Sequence, residues 1–259
     1  MKDILVFDLE TKKSFDEIGG QQNFGLLGVS VCGVYSYNRQ EYRGFREEEF
    51  AEMKTWFDDC QLLIGFNSKH FDIPVLQPYF PDFDLTKIPH LDILEEIHKA
   101  LNHRLKLDSV ALSTLGEGKS GTGLDALWYF KNNQWEPLIK YCLDDVRVTR
   151  DVYEYGQNHG VLWYEGGGRK DAIKISWGQG ETVAQKIQAA FTAGQQVEID
   201  YLKTDFGPRQ NLVIDIRSLK NGQVQVLIPP EPTMRVLSMD KIMSVKTVGQ
   251  QANWQNKLF

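Results

Sequence analysis

Two acidic residues stand two positions apart at the end of the first hydrophobic run of the sequence. Asp8 and Glu10 follow Ile4-Leu5-Val6-Phe7 and precede Thr11. Because side chains alternate across a β-strand, both carboxylates project to the same side. They repel each other unless cations lie between them, and Mg²⁺ and Mn²⁺ prefer oxygen ligands of this kind. Taken alone, the pair is more simply explained as surface charge at a strand end.

A third carboxylate and a phenol–carboxylate pair favour a metal site over simple surface charge. Asp72 follows the short hydrophobic run 62–66, so a strand-to-helix turn would bring it to a sheet end, although in isolation it would be a helix N-cap. Tyr141 and Asp145 are four positions apart in a stretch with helical periodicity, which places them on one helix face. Asp144 points about 100° away from that face. Alone, Tyr141 would be a packed aromatic ring.

Together these residues resemble the three motifs of the DEDDy subgroup of 3′-5′ exonucleases, which have a ribonuclease H-like fold. Residues 7–11 resemble the first motif, residues 65–74 (Gly-Phe-Asn-Ser-Lys-His-Phe-Asp-Ile-Pro) the second, and residues 141–145 the third. The sequence is most similar to the exonuclease domain of family B DNA polymerases and to bacterial YprB-like nucleases. Lys140 stands where the histidine subtype requires a histidine, so the tyrosine subtype is indicated.

This resemblance implies a catalytic site with two divalent metal ions, Mg²⁺ or Mn²⁺. Asp8 would bridge both ions, Glu10 and Asp145 would bind the ion on the nucleophile side, and Asp72 would bind the second. Two such ions neutralise the charge that develops during phosphodiester hydrolysis and lower the pKa of an attacking water. Tyr141 would orient that water, because a phenol with a pKa of about 10 is a poor base at neutral pH.

Three residues beside the motifs are candidates for substrate binding. Thr11 and Asn67 would hydrogen-bond the terminal nucleotide, and Phe71 would stack on a base. Their simpler explanations are a strand-end residue, a turn former and a core aromatic residue. Asp92 begins Asp-Ile-Leu-Glu, a pattern typical of a helix N-cap, and we interpret it as a cap despite its charge.

The elements that must position these residues alternate between strands and helices. The pattern predicts a three-stranded meander, then helix, strand, helix and strand, followed by several helices, which indicates an α/β fold with a mixed five-stranded sheet and flanking helices. The predicted strands are 3–9, 26–37, 41–45, 62–66 and 88–91; the predicted helices are 47–59, one starting at 71, 92–101, 108–115, 124–130 and 136–155.

Composition divides the chain into two domains. Residues 1–157 carry 17 basic and 26 acidic side chains and hold every motif, whereas residues 181–259 carry 9 basic and 7 acidic ones. Between them, residues 158–180 are rich in glycine and predict a linker. The last part alternates like a small, mostly antiparallel β-barrel, with a hairpin at Asn221-Gly222 and a last strand near 235–248.

The segment 181–259 resembles a WYL-like domain, a small SH3-like barrel, through residues 197–202, Arg217 and residues 235–242. Such domains bind nucleic acid or a nucleotide-like ligand. The alternative is a solvated basic surface on a folding or dimerising module. The resemblance makes five basic residues candidates for nucleic-acid contacts: Arg209, Arg217, Lys220, Arg235 and Lys241.

The whole chain has the composition of a water-soluble protein. Its 259 residues are 42% hydrophobic with a net charge of −6, and no apolar run is long enough to span a membrane. The N-terminus does not show the basic start and long apolar segment of a signal peptide, so we expect a cytoplasmic location. The three cysteines show neither disulfide nor zinc-site spacing.

The sequence therefore predicts a metal-dependent 3′-5′ exonuclease acting on single-stranded DNA or RNA. One alternative is a nucleic-acid-binding regulatory module with an unused nuclease fold, which the complete set of carboxylates disfavours. Another is a metal-dependent hydrolase of short oligonucleotides.

Overall fold

The chain folds into two units. In a computed structural model, the first unit contains Met1–Tyr153 and Leu162–Ser176, and the second contains Glu154–Val161 and Trp177–Phe259. The structure describes residues 2–20, 23–117, 123–177, 180–202 and 209–248, without the side chain of residue 209.

A mixed five-stranded sheet forms the centre of the first unit. Its order is β3-β2-β1-β4-β5, in which β1 pairs antiparallel with β2 and parallel with β4. β2 and β3 are antiparallel, and β4 and β5 are parallel. This confirms the predicted mixed sheet. The strands are β1 (Asp3–Thr11), β2 (Val29–Ser36), β3 (Glu41–Arg46), β4 (Cys60–Gly65) and β5 (His90–Asp92).

In the described part of the first unit, six α-helices accompany this sheet, close to the predicted positions. None of the helices that the structure describes is long and apolar enough to cross a membrane. The helices beside the sheet are α1 (Phe50–Asp58), α2 (Asp72–Leu76), α3 (Ile93–Leu101), α4 (Leu107–Leu115), α5 (Gly123–Lys131) and α6 (Trp135–His159). The last residues of α6 are grouped with the second unit.

Strand β1 separates an apolar face from an acidic face. Leu5, Phe7 and Leu9 are buried in the main hydrophobic core, with residues of α1 and α2. The alternating residues Asp8 and Glu10 therefore lie on the opposite face of the sheet. This alternation places both carboxylates on the side of the sheet where α6 packs.

Helix α6 approaches the sheet closely because two glycines on neighbouring strands leave room for it. Gly33 pairs with Asp8 in the β1–β2 register, and a Cβ at Gly33 would lie 3.0 Å from the sulfur of Cys142 on α6. A Cβ at Gly44 would lie 2.6 Å from Ile139 on the same helix. Any larger residue would push the helix outward, so these glycines set the distance between β1 and α6.

The glycine-rich stretch predicted as a linker contains an ordered hairpin. Strands β6 (Val161–Gly166) and β7 (Arg169–Lys174) pair as a two-stranded sheet, and Leu162–Ser176 belongs to the first unit. Gly167 and Gly168 form its turn with positive φ angles, a conformation that glycine adopts without steric cost. Gly167 and Gly168, which contributed to the prediction of a linker, thus act as turn residues.

The second unit contains a helix and a five-stranded antiparallel sheet in the order β11-β10-β9-β8-β12. The predicted hairpin at Asn221-Gly222 joins β9 to β10, and both residues have positive φ. Closure into an SH3-like barrel stays a prediction. The elements are α7 (Val183–Ala193), β8 (Val197–Leu202), β9 (Arg209–Lys220), β10 (Gln223–Leu227), β11 (Met234–Ser238) and β12 (Ile242–Thr247).

The single last strand predicted for residues 235–248 is wrong. A 3₁₀ turn, Met239–Lys241, divides it into β11 and β12, which lie at opposite ends of the sheet order. The Met239 N–H donates to the carbonyl of Gly222 at 2.8 Å. This bond anchors the turn to the β9–β10 hairpin.

His90 on β5 should make the stability of the first unit sensitive to acid. Burial lowers the pKa of His90 to about 4, with Lys69 acting in the same direction. An unfolded histidine has a pKa of about 6.5, so below that pH the unfolded chain binds a proton that the folded chain does not. Stability should fall as the pH drops from about 6.5 towards 4.

We expect His90→Gln to reduce this loss by about 1–2 kcal/mol between pH 7 and pH 5. Glutamine can keep the hydrogen bond that joins the His90 Nε2 to the Ser68 hydroxyl at 2.8 Å. Urea unfolding at both pH values measures the difference, with His103→Gln as the control at an exposed histidine. An unchanged pH dependence in His90→Gln would contradict the assignment.

Candidate functional site

Three carboxylates from β1 and α6 lie together above the sheet. One carboxylate oxygen from each of Asp8, Glu10 and Asp145 lies within 4.8 Å of the others. Asp145 is only 2% exposed, whereas Asp8 and Glu10 are half-buried and remain accessible. Hard oxygen ligands at this spacing suit a divalent cation such as Mg²⁺ or Mn²⁺.

Asp72 adjoins this cluster from the start of α2 and is 3% exposed. Burial raises its pKa well above the usual range, and the charge of Asp8 adds to this effect. Hydrogen bonds from the backbone N–H groups of Asp72 and Leu9 act in the opposite direction but are weaker. Without cations, Asp8 and Asp72 therefore resist simultaneous ionisation, which is the behaviour expected of ligands for a positive charge.

Tyr141 lies one helical turn before Asp145 and is 7% exposed. Burial raises the pKa of its phenol, and the nearby charges of Asp145 and Glu10 raise it further. The phenol therefore stays protonated at neutral pH, so it can orient a polar group by hydrogen bonding but cannot act as an anionic base.

Helix α6 is fixed against β1 through the residue that follows Tyr141. The thiol of Cys142 contacts the carbonyl oxygen of Asp8 at 3.5 Å, in the space that Gly33 leaves open. Burial raises the pKa of Cys142, with the charges of Asp8 and Glu10 adding to the effect, so its thiol stays neutral. The sequence offered no signal for this contact, because it depends on the β1–β2 register.

The loop that carries the second motif is held by Asp92. One carboxylate oxygen of Asp92 accepts the Asn67 N–H at 2.8 Å and the Leu94 N–H at 3.0 Å; the other accepts the Lys69 N–H at 3.0 Å. The predicted N-cap of α3 is confirmed, since Asp92 also accepts from Glu95. Its bonds to the loop were not predicted.

Of the three predicted substrate-binding residues, Thr11 and Phe71 line a cavity beside Glu10, whereas Asn67 lies in the loop of the second motif. The Thr11 hydroxyl donates to the Lys13 carbonyl at 2.9 Å, and Thr11 lines a cavity of about 390 Å³ together with Glu10 and Phe71. Asn67 has a φ of 66°, and its side-chain oxygen accepts a hydrogen bond from Arg104, which the sequence analysis did not single out. Their roles in binding stay predictions.

The five basic candidates of the C-terminal segment belong to the second unit. Two of them form ion pairs with acidic neighbours: Arg217 with Asp215 at 2.6 Å and Arg235 with Glu231 at 2.5 Å. These pairs reduce the positive charge offered to a phosphate backbone. Lys220 is exposed, Lys241 lies in the 3₁₀ turn, and the side chain of Arg209 lies outside the described part of the chain.

Comparison with known proteins places the first unit in a family. A family model described as the RNase_H superfamily matches residues 5–157. No curated protein matches the chain.

Solved structures that resemble the chain include a DNA polymerase, an exonuclease and a proteasome accessory factor. The family B DNA polymerase of the archaeon Pyrobaculum calidifontis is 18% identical with a TM-score of 0.44, over 60% of this chain and 25% of the polymerase. Exonuclease I of E. coli, in a zinc-bound complex with single-stranded DNA, is 10% identical with a TM-score of 0.34, over 95% and 64%. Proteasome accessory factor B/C of Arthrobacter aurescens is 16% identical with a TM-score of 0.25, over 60% and 22%. The chain thus spans about a quarter of the length of the polymerase.

Repulsion within the acidic cluster should make the metal-free protein less stable than a variant with one carboxylate fewer. We expect Asp145→Asn to raise the melting temperature without metal by about 2–4 °C for each kcal/mol of repulsion relieved. Mn²⁺ should stabilise the wild type by binding the folded state, and should stabilise the variant much less.

Thermal unfolding with chelator and with Mn²⁺ measures both effects. Asp144→Asn is the matched control, because Asp144 is the adjacent residue of α6 but lines a different cavity, beside Tyr42 and Lys140. An Asp145→Asn protein that keeps the full Mn²⁺ stabilisation would rule out this cluster as the metal site.

Proposed function

The chain belongs to the RNase_H superfamily, and from this membership we propose that it is a metal-dependent 3′-5′ exonuclease acting on single-stranded DNA or RNA. The observation that carries the proposal is the meeting of Asp8, Glu10 and Asp145 within 4.8 Å, with Asp72 beside them. Membership in the superfamily supports a nuclease, and the order and spacing of the carboxylate motifs support the 3′-5′ direction and the DEDDy subtype.

The donor set suits two divalent ions better than a simple structural role. Four carboxylates lie together, burial disfavours the negative charge of Asp72, and a surface meant only to bind a polyanion would gain from losing these charges. We assign Asp8, Glu10 and Asp145 to one ion and Asp8 with Asp72 to the second. Bound there, Mg²⁺ or Mn²⁺ would neutralise the scissile phosphate and lower the pKa of the attacking water.

The side chains of the protein position the reactants around this centre. Tyr141 remains a neutral phenol, and it orients the attacking water by hydrogen bonding on the side of Asp145. Thr11 and Asn67 hydrogen-bond the terminal nucleotide, and Phe71 presents its ring to a base. Positioning of this kind aligns the attacking water with the scissile phosphate. Such alignment contributes a large part of the rate enhancement in phosphoryl transfer.

We propose no catalytic role for the second unit. The WYL-like resemblance favours nucleic-acid or nucleotide binding, whereas the ion pairs of Arg217 and Arg235 support a solvated surface on a folding or dimerising module. Because all four carboxylates belong to the first unit, we place catalysis in that unit alone.

The decisive assay uses single-stranded DNA and RNA oligonucleotides labelled at the 5′ end, with Mg²⁺ or Mn²⁺. We expect a ladder of shortened, still labelled products, and no cleavage of a circular single strand, since a circle has no 3′ end. Asp8→Asn and Asp145→Asn should abolish the ladder while remaining folded, with Asp144→Asn as the active control. Cleavage of the circle, release of the 5′ label first, or full activity in Asp145→Asn would each contradict the proposal.

Removing only the hydroxyl of Tyr141 tests its role in positioning water. Tyr141→Phe keeps the buried ring, so turnover should fall about 10–100-fold, which corresponds to about 1.4–2.7 kcal/mol of barrier, while KM changes little. Steady-state kinetics on a short oligonucleotide measure both parameters. If kcat equals that of the wild type, Tyr141 serves only in packing.

A further inference from the structure

A cleft beside the second motif combines aromatic walls with one cation, and we name it the aromatic cleft. Its volume is about 400 Å³. The rings of Phe15, Phe24 and Phe71 meet edge to face, with centroids 5.7–6.0 Å apart, and all three residues are half-buried. The residues that line the cleft are Phe15, Phe24, Asn67, His70, Phe71 and Arg104.

The aromatic cleft adjoins the space next to the acidic cluster. The cavity of about 390 Å³ that is lined by Glu10 and Thr11 shares Phe15 and Phe71 with the cleft. A chain molecule whose end reaches Glu10 can therefore extend past Phe71 into the aromatic cleft. A third cavity, of about 430 Å³, shares Asn67, His70 and Arg104 with the cleft.

Arg104 is the cation of this cleft that keeps its charge available. It is exposed, and its contact within the described residues is with the neutral side-chain oxygen of Asn67. Lys69, by contrast, is paired with Glu95 at 2.6 Å. The carboxylate of Asp92 is occupied by backbone N–H groups and does not neutralise Arg104. A guanidinium with this freedom is suited to a phosphate group.

We propose that the aromatic cleft binds the penultimate nucleotide of a single-stranded substrate, with the base against Phe15 and Phe24 and the phosphate on its 5′ side at Arg104. This inference rests on the proposed function and specifies its substrate. Phe15 and Phe24 offer ring surfaces to a base, and any base can stack on them, so binding is independent of sequence. A base-paired nucleotide cannot insert its base, which selects single strands.

The phosphate contact is tested with Arg104→Gln and two substrates. The p-nitrophenyl ester of thymidine 5′-monophosphate occupies only the terminal position, whereas an oligonucleotide also reaches the cleft. The loss of kcat/KM in Arg104→Gln should be at least about 10-fold greater on the oligonucleotide than on the ester, the size expected of a charge-assisted contact. Lys87→Gln, which removes an 82% exposed cation outside these three cavities, should show no such difference.

The position of the phosphate is read by neutralising single phosphates of the substrate. A methylphosphonate on the 5′ side of the penultimate nucleotide should slow release of the first nucleotide by the wild type. It should cause no further loss in Arg104→Gln, because the contact is already absent. Equal and additive losses at that position would overturn the role of Arg104.

The base contact is tested with Phe24→Leu, which keeps an apolar side chain in the packing and removes the ring. Its effect on first-nucleotide release should be about 5-fold or more on an ordinary oligonucleotide. It should disappear on an oligonucleotide whose penultimate position is abasic. An effect that persists on the abasic substrate would assign Phe24 to the support of the fold.

The exonuclease function and the assignment of the aromatic cleft can be disproved separately. If the wild type hydrolyses neither the ester nor the oligonucleotide with Mn²⁺, the exonuclease function itself is wrong. If it hydrolyses both, and Arg104→Gln and Phe24→Leu match the wild type on the oligonucleotide, only the assignment of the aromatic cleft is overturned.

Discussion

Electrostatic repulsion among four carboxylates is the constraint around which the first unit is organised. Asp8, Glu10 and Asp145 meet within 4.8 Å, and Asp72 is buried beside them. The mutual repulsion of these carboxylates opposes their assembly without cations, so the surrounding fold must hold them together. The β1–β2 register, the close approach of α6 at Gly33 and the large apolar core on the opposite face of β1 provide that support. In the proposed function, the expected cost in stability is offset when divalent cations bind.

Asp92 carries out an analogous task for the loop of the second motif. Its carboxylate accepts backbone N–H groups from Asn67 and Lys69 as well as from the first turn of α3. One buried charge thus joins the turn after β4 to the helix after β5 and fixes the segment that leads to Phe71 and Asp72. Because Asn67 adopts a left-handed conformation, this segment would be less well defined without that anchor. The aromatic cleft and the acidic cluster therefore share one support.

Local patterns in the sequence predict most of the elements, and the motif residues predict which strand ends meet. The alternation of apolar and polar residues identifies β1, and helical spacing places Tyr141 and Asp145 on one face of α6. Both patterns are informative because they follow which side chains are buried. The hairpin of β6 and β7 was missed, since the sequence does not distinguish glycines of a turn from those of a linker. Arg104 and the thiol contact of Cys142 were also missed. Both depend on residues brought together by tertiary structure, about which local periodicity carries no information.

The position of the acidic cluster in the chain has a consequence for biosynthesis. Asp8 and Glu10 belong to the first strand, whereas Asp145 lies on α6, after every other strand of the main sheet. Proteins are made from the N-terminus, so β1 leaves the ribosome long before the helix that completes the cluster. Contacts so distant in sequence form late, after loop-closure entropy has been overcome. A nascent chain therefore holds an incomplete set of carboxylates until α6 has been made, and the cation binding that we propose would begin only once that helix has packed on the sheet.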